Sequence, residues 1–116
     1  MKKNTLRYFL ITVIFLFQCV YVKSQTPTLI KPKINSTQFN DSIFYSWNKV
    51  ANALYYELNV SEDASFTINN KVFKIYHSTD TTIKNSDFCK TLFWRVRAFV
   101  SAFTPYSNTQ TFSTFT

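Results

Sequence analysis

The sequence predicts an all-β domain, an antiparallel sandwich of about seven strands that follows an N-terminal signal peptide. Three observations favour this fold class. Apolar side chains recur with a period of two along most of the chain after residue 24, as expected of strands with one buried face. Turn-forming residues separate these segments at short intervals, and no segment has the sustained 3.6-residue period of an amphipathic helix.

The first 24 residues have the organisation of a secretory signal peptide. Three basic residues stand among the first seven, and residues 8–22 form a mostly apolar run of 15 residues. That run fits a signal-peptide core and is shorter than the roughly 20 residues that span a bilayer. We therefore expect cleavage between Ser24 and Gln25, a β-sandwich domain at 25–116, and a secreted or cell-surface protein.

Two other interpretations of residues 1–24 remain open. The segment could stay uncleaved as a short anchor, which would be the only contact of the protein with a membrane. Alternatively, Cys19 could be a lipidated N-terminus, although Gln18 stands where such sites need a small residue.

The charge of the mature domain is small. The whole chain has a formal net charge of +7, but four of its 13 basic residues lie in the first 24, and all six acidic residues follow. The mature domain therefore holds nine basic and six acidic side chains, a net charge of +3. This is too little for a nucleic-acid footprint, so we expect no nucleic-acid partner.

The chain contains no glycine. This excludes the P-loop, the dinucleotide-binding turn, the nucleophile elbow and the EF-hand loop, which all need glycine. Turns with positive φ must then use Asn and Asp, which tolerate that conformation best among the remaining residues. We expect such turns around Asn48, Asn52, 69–70, Asp80 and 85–87, which stand between apolar segments.

Seven segments are candidate strands. In chain order they are "TPTLI" (26–30), "SIFYSW" (42–47), "ALYYELNV" (53–60), "KVFKIYH" (71–77), "TTIK" (81–84), "TLFWRVRAFV" (91–100) and "NTQTFST" (108–114). Alternate residues of the longer segments are large and apolar. The predicted structural core consists of Tyr45, Trp47, Tyr56, Leu58, Val60, Trp94 and Val96.

The segment 91–100 fixes its own register. A slip of one residue would bury Arg95 and Arg97 and expose Trp94, so the arginines must point away from the core, toward solvent. We expect Glu57, on a neighbouring strand, to pair with Arg95 across the strands or with Arg97 on the diagonal. At a solvated site such a pair contributes at most about 1 kcal/mol.

The spacing of these residues resembles fibronectin type III-like domains of exported bacterial surface proteins, which have an immunoglobulin-like fold. The resemblance covers 27–114 and rests on Ala53, Tyr56, Leu58, Val60, Ser61, Asp63, Ser65 and Phe66, on "WRVRA" (94–98), and on Trp47 and "YSNTQTFST" (106–114). Two features depart from the family. Leu92 occupies the approximate place of the hydroxyl-bearing tyrosine corner, and "NSDFCK" (85–90) replaces a Pro/Gly-rich turn, so we expect a looser loop there.

The sequence offers little catalytic or metal-binding chemistry. His77 is the only histidine, and its neighbours Ser78 and Asp80 do not form a triad on an extended strand. Glu62 and Asp63 are the only adjacent carboxylates, and we expect Asp63 to accept hydrogen bonds from backbone N–H groups in a turn. No catalytic residue, metal site or cofactor is predicted, and we expect no enzymatic activity.

The resemblance implies a non-enzymatic adhesion, spacer or recognition module of the cell surface, with a protein or glycan ligand. The alternative is a carbohydrate-binding or enzyme-accessory domain that uses exposed aromatic residues. The candidate binding surface is the outward face of two neighbouring strands and consists of Tyr55, Glu57, Asn59, Phe93, Arg95, Arg97 and Phe99. An idle face, on which arginine stems and aromatic rings only cover one another, is the competing interpretation.

Overall fold

Eight strands in two facing sheets form the domain in the computed structural model, which describes residues 25–115. The strands are β1 (Leu29–Lys31), β2 (Ser36–Gln38), β3 (Ser42–Trp47), β4 (Tyr55–Ser61), β5 (Lys71–Tyr76), β6 (Asp80–Lys84), β7 (Thr91–Phe99) and β8 (Gln110–Thr114). The predicted all-β sandwich is confirmed. The signal peptide and its cleavage site fall on residues 1–24, outside the described part.

The two sheets have the orders β1-β3-β6 and β2-β8-β7-β4-β5. Each of the seven predicted segments overlaps a strand. The eighth strand, β2, was not predicted, and it pairs in parallel with β8. Pro32 follows β1 and has no N–H to donate to a strand ladder, so the chain leaves the first sheet there and joins the second at Ser36. Within residues 25–115 no helix is long and apolar enough to cross a membrane.

The core lies between the sheets and is mainly aromatic and branched. All seven residues of the predicted core are buried, and Trp94 and Val96 are fully so. Tyr45 meets Trp94 edge-on with ring centroids 5.2 Å apart, and Trp47 meets Tyr56 in the same way at 5.4 Å. The Tyr56 hydroxyl also accepts a hydrogen bond from the Val50 N–H at 2.9 Å, which anchors the connection before β4.

Positive φ is not confined to Asn and Asp. Within residues 25–115, three of the six residues with positive φ are Asn35, Asn52 and Asn69, as the absence of glycine predicts. The others are Phe66, His77 and Cys89, and none is Asp. The prediction was therefore only half right. A bulky residue rarely has positive φ, so contacts of its side chain must stabilise that conformation.

The loop at 85–90 is held tightly, contrary to the expectation of a loose one. The Thr114 hydroxyl donates to the Asp87 carbonyl at 2.6 Å, and the Thr114 N–H donates to the Lys90 carbonyl at 2.8 Å. The Asn85 side chain also bonds both the N–H and the C=O of Asp87. Leu92 is buried in the core, and these bonds tie the loop without a tyrosine hydroxyl there.

Candidate functional site

The pairing of β4 with β7 brings the seven predicted site residues onto one face of the five-stranded sheet, which we call the outer face. Tyr55 lies opposite Phe99, Glu57 opposite Arg97, Asn59 opposite Arg95, and Phe93 opposite Ser61. The residues form two adjacent columns because side chains on one face recur every second residue on both strands. Phe93 lies at the far end, beside Thr111 of β8.

Glu57 and Arg97 form an ion pair at the centre of the outer face. The Arg97 Nε and Nη2 atoms lie 3.2 and 2.9 Å from Glu57 Oε2. The predicted pairing of Glu57 with Arg97 is confirmed, whereas the alternative partner Arg95 is wrong, and so is the diagonal geometry, because Glu57 and Arg97 lie directly across the strands. The expectation of a solvated site is also wrong, because Glu57 is only 7% exposed.

Arg95 pairs instead with Asn59. Its Nε donates to Asn59 Oδ1 at 3.0 Å. Asn59 is 1% exposed, and its Nδ2 donates to the Lys71 carbonyl at 3.0 Å and to Asn70 Oδ1. Both the oxygen and the nitrogen of the Asn59 side-chain amide therefore form hydrogen bonds within the domain, as a buried polar group requires.

A second layer of aromatic rings covers both guanidinium groups. Arg95 lies between the rings of Phe66 and Tyr106, with its Cζ 3.9 Å from each centroid. Arg97 lies 3.7 Å from the Phe103 centroid and 4.7 Å from that of Tyr106. The arginines point away from the core as predicted, but they do not face open solvent. Phe66, whose φ is 56°, is thus in contact with Arg95 through its ring, and its N–H donates to the Asp63 carbonyl at 3.2 Å.

The three covering residues, Phe66, Tyr106 and Phe103, lie outside the predicted surface. They belong to the segments that follow β4 and β7, and strand periodicity does not apply to such segments. One sequence signal could have identified them. Two arginines that alternate on an apolar strand need partners for their flat faces, and all three aromatic residues stand in turn segments next to the paired strands.

The outer face ends in an aromatic group that we call the aromatic end: Tyr55, Tyr76, Phe99 and Phe103. Tyr55 stacks on Phe99 with centroids 5.1 Å apart and planes 12° apart, and Tyr76 lies 5.2 Å from Tyr55. Phe103 packs edge-on against Phe99 at 5.0 Å. Tyr76 is 55% exposed and Phe103 is 40% exposed, so this end presents aromatic surface to solvent.

The remaining polar candidates have structural roles. Asp63 Oδ1 accepts the backbone N–H groups of Thr67 and Ile68, both at 2.8 Å, as predicted. These bonds, the Ile68 N–H first, hold the pKa of the Asp63 carboxyl well below its usual range. His77 is exposed beside Tyr76. Within residues 25–115 no three His, Cys, Asp or Glu side chains lie close enough to hold a metal ion.

No protein-family model matches the chain, and no curated protein matches it. Among solved structures, an Fn3-like protein from Clostridium thermocellum is 14% identical with a TM-score of 0.60, over 80% of this chain and 95% of that one. A β-1,2-glucanase from Parabacteroides distasonis is 16% identical with a TM-score of 0.61, over 82% of this chain but only 13% of the glucanase. A human fibronectin type III domain is 15% identical with a TM-score of 0.55, over 86% of this chain and 78% of that domain. The chain therefore has a fibronectin type III-like fold.

Proposed function

We propose that this chain is a non-enzymatic, exported recognition module that binds a protein at the cell surface through its aromatic end. The observation that supports this most is the group of four connected rings at one end of a face that is otherwise covered, in which Tyr76 is 55% and Phe103 is 40% exposed. Tyr, Phe and Arg are enriched at the centres of protein interfaces, and a contiguous apolar patch is more significant than scattered exposed residues.

The outer-face residues then divide into two roles. Glu57, Asn59 and Arg95 are bonded or stacked within the domain, so they hold the surface rigid and do not contact the ligand. Tyr55, Phe99 and the partly exposed Arg97 contact it, together with Tyr76 and Phe103. A platform whose side chains are already fixed loses little conformational entropy on binding, which favours affinity.

A protein partner fits the ring geometry better than a sugar. A pyranose stacks its apolar face on an open aromatic face, whereas Tyr55 is stacked on Phe99 and has Lys74 Nζ 5.4 Å from its centroid. The exposed surface of the aromatic end is therefore uneven, and the side chains of a protein partner can pack between its rings.

Export and the lack of catalysis rest on the sequence. The organisation of residues 1–24 supports secretion or display at the surface, and no nucleophile, base and oxyanion donors are predicted together. The fold supports the generic part of the proposal, because the similar structures include separate and tandem fibronectin type III domains.

The second candidate is a carbohydrate-binding or enzyme-accessory domain. Two observations favour it: the similar fold occurs within a small part of the β-1,2-glucanase, and the Tyr76 ring is exposed enough to meet a sugar. The two candidates differ in the chemical class of the ligand, protein or carbohydrate, and one experiment can determine which it is.

The test is binding of the fluorescently labelled full chain to intact cells of its source. The double substitution Tyr76→Ser and Phe103→Ser should weaken binding at least about tenfold, as expected for interface hot spots. Phe44→Ser is the matched control, because Phe44 is 45% exposed on the opposite sheet and its loss should change nothing. Circular dichroism must show that all variants fold.

Pretreatment of the cells identifies the ligand class. Protease treatment should abolish binding and periodate oxidation of surface glycans should not. The reverse result would replace the first candidate with the carbohydrate-binding one. Equal binding by the double variant and the wild type would refute the aromatic end as the site.

A further inference from the structure

A cleft opens between the two sheets along the side where β5 and β6 are the edge strands. It has a volume of about 250 Å³. Its apolar lining includes Val60, Phe73, Ile83 and Leu92. This cleft lies between the sheets, whereas the aromatic end lies on the outer face of one of them. The two features are therefore independent.

Tyr45 gives the cleft a hydrogen-bond donor. The residue lines the cleft, is only 3% exposed, and is fixed by edge-on contacts with Trp94 and Phe112. Burial, together with the nearby Asp87 carboxylate, raises the pKa of Tyr45, so the hydroxyl keeps its proton. Because Tyr45 lines the cleft, as Asp87 does, a protonated hydroxyl there can donate a hydrogen bond to a bound molecule.

The rim of the cleft is cationic. Lys71, Lys84 and Asp87 line it. Asp87 pairs with Lys71, whose Nζ lies 3.3 Å from Oδ2, and lies 3.8 Å from Lys90, which binds Glu62 more closely at 2.6 Å. Lys84 forms no ion pair with any acidic residue in the described part of the chain, so its ammonium group can serve a bound molecule.

We propose that this cleft is a binding site for a small apolar molecule that carries one carboxylate. The Tyr45 hydroxyl donates a hydrogen bond to that carboxylate, the Lys84 ammonium group neutralises it, and the apolar walls cover the rest of the molecule. A cavity of about 150 Å³ holds benzene, so a cleft of this volume suits roughly ten non-hydrogen atoms. Benzoate and phenylacetate have this size and charge. Asn85 does not compete, because its amide is already bonded to the Asp87 backbone.

The test is a titration of the isotope-labelled full chain with benzoate, followed by NMR chemical shifts. Benzoate should bind saturably, with the shifts concentrated on the cleft residues such as Ile83 and Leu92. Benzylamine has a similar size and the opposite charge, and it should bind at least about tenfold more weakly, because it repels Lys84 and cannot accept from Tyr45.

Three variants decide which groups act. Tyr45→Phe removes only the hydroxyl and keeps the ring, so the domain should fold, and benzoate affinity should fall at least about tenfold. Lys84→Gln should weaken the binding of benzoate and lower the ratio of benzoate affinity to benzylamine affinity. Lys49→Gln, which removes an exposed lysine outside this cleft, should change neither value.

Several results would overturn the site: no saturable shifts, equal affinity for benzoate and benzylamine, or shifts centred away from the cleft. Full benzoate affinity in folded Tyr45→Phe would do the same. If that variant does not fold, Lys84→Gln decides alone, and unchanged benzoate affinity in it refutes the proposal.

Discussion

The two faces of β7 are packed by different means. On the inner face Leu92, Trp94, Val96 and Ala98 are buried between the sheets and contact residues from the opposite one. On the outer face Phe93, Arg95, Arg97 and Phe99 are only partly buried, and short connecting segments supply the rings that cover the two arginines. One strand therefore supports both a hydrophobic core and a stacked layer of cations and rings.

The difference lies in where the packing partners come from and what each contact contributes. Inner contacts remove large apolar surfaces from water and cannot be lost singly without leaving a cavity. Outer contacts are charged hydrogen bonds and cation–π pairs at a surface, each worth about 0.5–3 kcal/mol. We expect substitutions on the inner face to unfold the domain and substitutions on the outer face to weaken it by degrees.

The largest effect should come from Trp94→Ala. Trp94 is fully buried and packs edge-on against Tyr45, so its truncation should lower the free energy of unfolding by about 3–5 kcal/mol. For a domain of this size that loss approaches the whole stability. Urea unfolding followed by circular dichroism measures it. An unchanged midpoint would show that Trp94 is not in the core.

Strand periodicity predicted the inner face because burial between sheets depends on the period of two. Trp47, Leu58, Trp94 and Val96 are core residues for that reason alone. The same period placed Arg95 and Arg97 on the outside, but it contains no information about what lies above them. That depends on loops, whose conformations follow from particular turns such as the one with Phe66 at positive φ.

Register limited the prediction of pairs in a similar way. Alternation fixes which face Glu57 and Arg97 share, but not which residues stand opposite each other, because a shift of two residues preserves every face. The observed pairing of β4 with β7 sets Glu57 opposite Arg97. The strand β2 escaped prediction since three residues are too few to show alternation.

The next largest effect should come from Glu57→Gln. The substitution keeps the shape of the side chain and leaves the partly buried Arg97 guanidinium without its countercharge, at a cost of about 1.5–3 kcal/mol. Asp80→Asn removes an exposed carboxylate and should cost much less. Equal stability losses in urea unfolding would mean that the central pair is solvated after all.

A smaller effect should come from Tyr106→Leu, which keeps apolar cover but removes the ring that both arginines contact. The loss should be about 1 kcal/mol, since cation–π pairs at partly exposed sites contribute about 0.5–2 kcal/mol. A double-mutant cycle with Arg95→Gln isolates the interaction energy between Tyr106 and Arg95. Tyr76→Leu is the control, and its cycle with Arg95→Gln should give no coupling. A coupling energy of zero between Tyr106 and Arg95 would mean that the ring only shields the guanidinium group from water and adds no cation–π stabilisation.

The smallest effect should be a local loss of stability at low pH, which should affect the cover of the outer face of β7 before the core on its inner face. Asp63 binds the N–H groups of Thr67 and Ile68, and its carbonyl accepts the Phe66 N–H at 3.2 Å, so it shapes the turn that brings Phe66 over Arg95. Because folding lowers the pKa of Asp63 from 3.8, its contribution is present above that value and is lost as the pH falls toward its folded pKa.

We therefore expect the turn that holds the Phe66 ring over Arg95 to weaken progressively as the pH falls below about 4, before the core opens. Amide hydrogen exchange at Thr67 and Ile68, compared with that at Trp94 and Val96, measures this order. In Asp63→Asn the turn should exchange faster at neutral pH and lose its acid dependence, whereas Asp41→Asn, an exposed carboxylate in another connection, should behave as wild type. Simultaneous opening of turn and core in the wild type would show that the outer cover and the inner core form one cooperative unit, and the contrast between the two faces of β7 would then be one of composition only.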